Sequence, residues 1–238
     1  MSETSVERRT SLQARVDRVR ERIADAAARS GRDASAVTLI GVTKTHPAEA
    51  VVEALECGIV HVGENRVQEA VDKAARVREL LGRDPVWHLI GTLQRNKVRP
   101  ALDLFSMIHS VDSVRLAEAI SARAEGRRVP ILLEVYLGED DARPGFRADS
   151  LDAVVTSVAA LDGLDVRGLM TVAPLGLDES GTRAVFRRLR ELRDGLREQH
   201  PAVQLPELSM GMTNDYVLAI EEGATLVRVG RAIFGERT

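Results

Sequence analysis

The sequence predicts an α/β fold, a (β/α)8 TIM-type barrel with an extra N-terminal helix. A short β-branched run, a turn rich in Gly, Asn, Asp or Pro, and a helical period recur along the chain, and eight such runs are present. Strict alternation of strands and helices indicates a parallel sheet. The length of 238 residues also suits a closed barrel, for which about 250 residues are typical.

An amphipathic helix precedes the first predicted strand. Apolar side chains recur there at steps of three and four, at Leu12, Val16, Val19, Ile23 and Ala27. The pattern ends at Ser30-Gly31, a common helix stop. We expect residues 1–31 to form a helix packed outside the barrel, within one domain that spans residues 1–238.

The eight predicted strands are residues 37–43, 59–62, 86–90, 107–110, 131–136, 166–170, 205–209 and 225–229. Helical patterns follow each of the first seven, as at 47–57, where proline occupies the first turn, and at 113–125 and 182–200. An open doubly wound sheet is the alternative fold. It is disfavoured because no Gly-x-Gly-x-x-Gly element follows the first strand.

The composition argues against several classes of function. Thirty-three basic and 36 acidic residues give a net charge of −3, and only 3% of residues are aromatic, which disfavours nucleic-acid binding. The N-terminus has no apolar core segment and no run of eighteen apolar residues occurs, which disfavours secretion and membrane insertion. We expect a cytoplasmic monomer without a metal site. The single cysteine, Cys57, is expected to be a small buried hydrophobe.

Lys44 stands out because the chain has only three lysines beside thirty arginines. It follows the apolar run 37–42, and unlike arginine its amine can form an imine with an aldehyde. This indicates amine chemistry at the end of the first strand, although Lys44 could also simply extend into solvent there. Lys73 and Lys97 lie in charged and polar stretches and are expected to be ordinary solvated positions.

Polar residues gather where the predicted strands end, which is the rim that carries the ligand site in such barrels. The residues at this rim are Lys44, Gly63, Glu64, Asn65, His88, Gly91, His109, Asp112, Tyr136, Ser209, Met212, Thr213, Arg228, Gly230 and Arg231. Structural roles remain open for some of them. His88 and His109 could be hydrogen-bonded core histidines, Tyr136 a packed ring, and Asn65 or Asp112 helix caps.

The segment 226–235 predicts a phosphate site. A strand that ends in Gly230 and opens a short helix directs N–H groups at an anion, and barrels often hold a phosphate near strands seven and eight. Thr213 could add a hydroxyl donor. A lysine and a phosphate cradle together describe a ligand with an aldehyde and a phosphate, as in pyridoxal 5'-phosphate. Arg228 could face its pyridine nitrogen and keep it unprotonated, which would weaken the ring as an electron sink.

Six motifs are similar to those of the pyridoxal phosphate homeostasis proteins, at residues 41–45, 62–69, 87–97, 168–171, 208–213 and 228–235. The similarity extends over about residues 12–237, and the family is related to the barrel domain of alanine racemases. It implies that pyridoxal 5'-phosphate attaches to Lys44 as a Schiff base, beside Asn65, with Arg228 facing the pyridine nitrogen. It further implies phosphate contacts from Thr213, Gly230 and the backbone of Arg231, and Ser209 completes the set of cofactor-binding candidates.

Four positions depart from the family's commoner pattern. Thr43 and Thr213 replace serines, which preserves a hydroxyl donor. Arg231 replaces a frequent threonine and loses a hydroxyl, so only its backbone contact is expected. Arg143 stands where many relatives have lysine, which puts an accessory amine role there in doubt.

The resemblance implies a carrier and regulator of pyridoxal 5'-phosphate that acts without turnover and supplies pyridoxal 5'-phosphate-dependent apoenzymes. Alanine racemases pair their barrel with a β domain that carries a catalytic tyrosine, and we expect no such domain after residue 238. One alternative is an amino-acid racemase that uses His88, His109 or Tyr136 for proton transfer. Another is a Schiff-base aldolase without cofactor.

Overall fold

Eight parallel strands close into a barrel in the order of the sequence, in a computed structural model that describes residues 5–140 and 143–235. The strands are β1 Thr38–Val42, β2 His61–Glu64, β3 Val86–Leu89, β4 Met107–Val111, β5 Val129–Glu134, β6 Leu164–Met170, β7 Glu207–Met212 and β8 Leu226–Val229. Pairing of β1 with β8 closes the sheet, with Ile40 opposite Arg228. The predicted (β/α)8 barrel is confirmed, and the open doubly wound alternative is wrong.

Helices surround the sheet, with one before the first strand and one after each of the eight strands. They are α1 Ser5–Arg29, α2 Ala48–Glu56, α3 Val67–Leu81, α4 Val98–Leu104, α5 Val114–Ser121, α6 Leu151–Ala159, α7 Glu179–Gln199, α8 Tyr216–Glu221 and α9 Arg231–Phe234. Side-chain capping bonds are present at the starts of α5 and α7. In α7, for example, the Asp178 carboxylate accepts a 2.7 Å hydrogen bond from the amide of Gly181, and this cap satisfies a first-turn N–H group.

Helix α1 packs against α8, α9 and α2. Its buried face is the predicted one, with Leu12, Val16, Val19 and Ile23 in the main apolar core. The Arg15 side chain also donates a 2.5 Å hydrogen bond to the carbonyl of Ile233 in α9. The predicted helix included residues 1–4, which lie outside the described residues, as do 141–142 and 236–238.

Strands β2 and β7 begin two residues later than predicted, at His61 and Glu207. Ile59 instead donates its amide to the carbonyl of Ala54, and Gly58 is left-handed at φ +77°, so both residues belong to the turn that follows α2. Leu205 is left-handed at φ +42° and precedes proline, which delays β7. Both strands also end later than predicted, β2 at Glu64 and β7 at Met212.

Candidate functional site

A cleft of about 1020 Å³ lies over the carboxyl ends of the strands. Six of the seven predicted site residues line it, namely Lys44, Asn65, Thr213, Arg228, Gly230 and Arg231. The seventh, Ser209, is fully buried in β7 and is hydrogen-bonded to Arg228. The barrel thus brings together residues from the first, second, seventh and eighth strand ends, as expected for this fold.

The backbone on both sides of Lys44 is tied to neighbouring elements. Before it, the carbonyl of Thr43 accepts a 2.8 Å hydrogen bond from the amine of Lys73, and the Thr43 hydroxyl donates to Glu64 at 2.6 Å. After it, Thr45 adopts a left-handed conformation at φ +67° and donates its amide to Glu69 at 2.6 Å. Left-handed threonine costs free energy, so the surrounding bonds must hold this turn in place.

Lys73 was expected to be solvated, and this expectation is wrong. Its side chain is only 5% exposed and its amine lies 2.5 Å from an oxygen of the fully buried Glu64. A second carboxylate, Glu69, lies 3.3 Å away. Burial raises the pKa of Glu64, and the Lys73 ammonium opposes that shift. The helical pattern of residues 66–81 gave no sign of this pair, because its partner carboxylate lies on the preceding strand.

Arg228 is a buried cation at the floor of the cleft, with 4% of its surface exposed. Its guanidinium donates to the Ser209 hydroxyl oxygen at 2.5 Å and to the carbonyl of Thr171 at 2.9 Å. Burial lowers the pKa of Arg228 to about 10, while Asp215 and Glu134 oppose that shift. The side chain therefore remains protonated at neutral pH.

Two carboxylates near Arg228 were not singled out from the sequence. Burial raises the pKa of Glu134, at the end of β5, to about 7, with a further contribution from Asp112 and an opposing one from Arg228. Burial also raises the pKa of Asp215. Because Glu134 lies within an apolar strand pattern, its charge was the only signal that could have identified it.

The residues after β7 and β8 are joined at the predicted phosphate end. The amide of Gly230 donates to the Thr213 hydroxyl oxygen at 3.3 Å, and the Arg231 side chain donates to Asn214 at 3.3 Å. A β-carbon at Gly230 would lie 3.3 Å from the carbonyl oxygen of Val42, so a larger residue would crowd β1. This contact places the start of α9 directly beside the strand that leads to Lys44.

The backbone of Asn65 lies close to Gly91, which follows β3. A β-carbon at Gly91 would lie 2.4 Å from the carbonyl oxygen of Asn65, so only glycine allows this approach. The sequence left open that Asn65 or Asp112 caps a helix. The helix caps are instead Arg66 for α3 and Ser113 for α5, and only the serine makes a side-chain capping bond.

The three candidates for proton transfer lie outside the set of residues that line the cleft. His88 and His109 are buried and hydrogen-bonded to each other at 2.9 Å, so the core-histidine interpretation is confirmed. Tyr136 packs under the Arg147 guanidinium, whose carbon lies 4.8 Å from the ring centroid. Cys57 is buried, as expected, and burial raises the pKa of its thiol. Of the Asp140–Phe146 segment, residues 141–142 are not described, and Arg143 is exposed.

Residues 5–140 and 143–235 contain neither a membrane-spanning helix nor a cluster of metal-ligating side chains. No helix there has both the length and the apolar character needed to cross a bilayer. The same part of the chain holds no group of three His, Cys, Asp or Glu side chains arranged for a metal ion.

The sequence and fold match known proteins along most of the chain. The alanine racemase N-terminal domain family matches residues 15–238. The pyridoxal phosphate homeostasis protein of Aquifex aeolicus is 41% identical over 225 residues, which cover 94% of this chain and 97% of the relative. The protein of the same name from Escherichia coli K12 is 36% identical, with 92% and 94% covered.

Solved structures of similar fold cover most of the chain as well. PipY of Synechococcus elongatus, solved with pyridoxal phosphate bound, is 45% identical and superposes with a TM-score of 0.80 over 90% of this chain and 100% of PipY. Alanine racemase from Oenococcus oeni shares the fold, with a TM-score of 0.70 at 18% identity over 96% of this chain and 63% of the racemase. The chain belongs to the pyridoxal phosphate homeostasis protein family.

Proposed function

We propose that the protein binds pyridoxal 5'-phosphate covalently through Lys44 and acts as a carrier and regulator of its supply, without turnover. The observation that carries this proposal is the joint position of the Lys44 amine and the buried Arg228 cation in one cleft. The bound cofactor in PipY, at 45% identity, supports the same ligand here.

The residues of the cleft fit the parts of this ligand. Pyridoxal 5'-phosphate supplies an aldehyde that a lysine amine converts to an imine with loss of water. Thr213, Gly230 and the backbone of Arg231 would hold the phosphate, and the hydrogen bond from the Gly230 amide to the Thr213 hydroxyl supports this role because it brings the two residues together. Asn65 would lie beside the ring.

Arg228 would face the pyridine nitrogen. A guanidinium has only donors, so it can donate to that nitrogen and cannot accept a proton from it. The ring nitrogen would stay unprotonated, which weakens the electron withdrawal on which cofactor-dependent catalysis depends. This choice of residue suits storage better than turnover.

The positions of the acid–base candidates also favour a carrier over a racemase. His88, His109 and Tyr136 lie outside the cleft lining, whereas a racemase needs proton donors and acceptors at the reacting carbon. Two relatives at 36–41% identity carry the name of homeostasis proteins. We include in the proposal a cytoplasmic monomer that delivers its ligand to apoenzymes.

Binding and the absence of turnover are tested together. Wild-type protein incubated with pyridoxal 5'-phosphate should develop a visible absorption band, Lys44→Ala should not, and Lys97→Ala should match wild type as a lysine control. Incubation of the loaded protein with single amino-acid enantiomers should leave chiral composition unchanged. Sustained racemisation that disappears in Lys44→Ala would establish the racemase instead. A colourless protein that borohydride traps only with a carbonyl substrate would establish the aldolase.

Delivery is a separate step with its own measurement. Loaded protein mixed with a pyridoxal 5'-phosphate-dependent apoenzyme should restore that enzyme's activity, even when a scavenger of free pyridoxal 5'-phosphate is present. Restoration that the scavenger abolishes would mean release to solvent and would rule out direct delivery. Light scattering of the same sample gives the oligomeric state, which we propose to be monomeric.

A further inference from the structure

A chain of hydrogen bonds crosses the barrel interior and ends on Arg228. His61 Nδ1 lies 2.9 Å from His88 Nε2, and His88 Nδ1 lies 2.9 Å from His109 Nε2. His109 Nδ1 lies 2.9 Å from the Ser209 hydroxyl, to which Arg228 donates. Because β4 and β7 are not neighbours in the sheet, the bond between His109 and Ser209 has to cross the interior. The chain thus runs from half-buried His61 to the floor of the cleft.

The chemistry of its last member sets the direction of the chain. Arg228 can only donate, so the Ser209 oxygen accepts from it. Ser209 is fully buried, and among the described residues the acceptor for its hydroxyl hydrogen is His109 Nδ1. A buried hydroxyl without an acceptor would cost about 1–3 kcal/mol. Ser209 therefore donates to His109.

The same reasoning fixes each histidine tautomer in turn. With Nδ1 accepting, neutral His109 carries its proton on Nε2 and donates it to His88 Nδ1. His88 then donates from Nε2 to His61 Nδ1. All three histidines are predicted to be neutral Nε2–H tautomers, with every hydrogen bond directed from Arg228 towards His61.

The electrostatics agree with neutral histidines. Burial lowers the pKa of His88 to about 3, and burial, His88 and Arg228 together lower the pKa of His109. Burial also lowers the pKa of His61. A proton added to any of them would occupy a nitrogen that now accepts, and would break one link.

Other charged groups face Arg228, so the chain is not its only partner. Glu134 and Asp215 interact favourably with the guanidinium, and the charge of Asp112 raises the pKa of Glu134. These carboxylates balance the charge of Arg228. The guanidinium N–H groups, however, donate hydrogen bonds to the Ser209 hydroxyl and the Thr171 carbonyl, and these two bonds set its orientation.

We propose that His61, His88, His109 and Ser209 are positioning residues that hold the guanidinium of Arg228 with its remaining N–H groups towards the cleft. This inference rests on the proposed function, in which those groups face the pyridine nitrogen. Two of the five N–H groups donate to Ser209 and Thr171, and the other three take no part in these two bonds. Because the chain ends on a group without a lone pair, it cannot pass a proton to the ligand. The hydrogen-bond chain therefore orients the Arg228 cation and does not take part in proton transfer.

The tautomers are tested first, on the protein without ligand. Nitrogen-15 spectra of histidine-labelled wild type, assigned with single His→Gln variants, should show His61, His88 and His109 as neutral Nε2–H tautomers at pH 7. His88 and His109 should stay neutral at pH 5. An imidazolium or an Nδ1–H tautomer at any of the three at pH 7 overturns the directed chain. This result does not depend on whether the protein binds pyridoxal 5'-phosphate.

The positioning role is tested with two Ser209 variants in the presence of pyridoxal 5'-phosphate. Ser209→Ala should bind about tenfold or more weakly, as expected for a lost hydrogen bond to a charged group, and the visible band of the bound ligand should shift. Ser209→Thr keeps the hydroxyl and should restore both properties. Equal affinity and identical spectra for wild type and Ser209→Ala overturn the role of the chain. If wild type itself fails to form an adduct at Lys44, the proposed function fails, and the tautomer result still stands or falls independently.

Discussion

At the scale of single residues, the site depends on a lysine whose neighbours are held on both sides. Thr43 is fixed by Lys73 and Glu64, and Thr45 is held in a left-handed turn by Glu69. Lys44 thus extends from backbone that has little freedom to move. A buried ion pair is a costly way to fasten a strand end, since both charges lose water. The benefit is a defined direction for the amine.

Removing one partner of the Lys73–Glu64 ion pair should lower the free energy of unfolding far more than removing both partners. Lys73→Met leaves Glu64 as a buried, unpaired carboxylate and should lower the free energy of unfolding by about 3–5 kcal/mol. The double variant Lys73→Met with Glu64→Leu should recover much of that loss. Urea unfolding measures all three, with Lys97→Met as a control that stays within about 0.5 kcal/mol of wild type. Additive effects of the two substitutions would contradict this account.

His88 should make the protein less stable as pH falls. Its pKa is about 6.5 unfolded and about 3 folded, so between these values the unfolded chain binds one proton more. The contribution of neutral His88 to the free energy of unfolding is fully present above pH 6.5. It is lost on acidification at about 1.4 kcal/mol per pH unit. The difference in unfolding free energy between wild type and His88→Gln should therefore shrink or reverse from pH 7 to pH 5. A difference that is flat with pH would mean that His88 is charged in the folded state.

Glu134 should have the opposite dependence. Its folded pKa of about 7 exceeds its ordinary value, so its contribution is present below pH 4.5 and is lost as pH rises through 7. Relative to Glu134→Gln, wild type should lose about 1.4 kcal/mol per pH unit between those values. Urea titrations at pH 5 and pH 7 check the sign. A wild type that gains stability over Glu134→Gln across this interval would show that Arg228 outweighs burial.

At the scale of elements, α1 packs outside the barrel and is also hydrogen-bonded to α9. Arg15 joins it to the carbonyl of Ile233 in α9, the short helix that begins at the proposed phosphate contacts. Apolar periodicity predicted α1, α2 and α7 well, because each has one buried face. Strand boundaries were harder, since the turns at Gly58 and Leu205 depend on left-handed backbone that propensity alone does not reveal.

Loosening the contact between α1 and α9 should weaken ligand binding from a distance. Arg15→Ala removes the hydrogen bond to Ile233 and should speed hydrogen exchange of the α9 amides, with a loss of affinity for pyridoxal 5'-phosphate of about three- to tenfold. Arg18→Ala, at an exposed position of the same helix, is the matched control. Unchanged exchange in α9 of Arg15→Ala would show that α1 does not support this part of the site.

At the scale of the whole molecule, the closed barrel explains why so much of the site could be predicted. Eight strands of one direction must deliver their carboxyl ends to one rim, so Lys44, Asn65, Thr213 and Arg228 met there. The depth of Ser209 could not be predicted, because the register between β7 and β8 shifts between Ser209 and Met212 and interrupts simple alternation. Nor could the contact of His109 with Ser209, one hundred residues apart in sequence.

The covalent attachment of pyridoxal 5'-phosphate to Lys44 is the claim on which the other functional statements depend. Borohydride reduction of the loaded wild-type protein, followed by peptide mass mapping, tests it most directly. We predict one reduced adduct per chain, on the peptide that contains Lys44. An adduct on Lys73, on Lys97 or on no lysine would contradict the account.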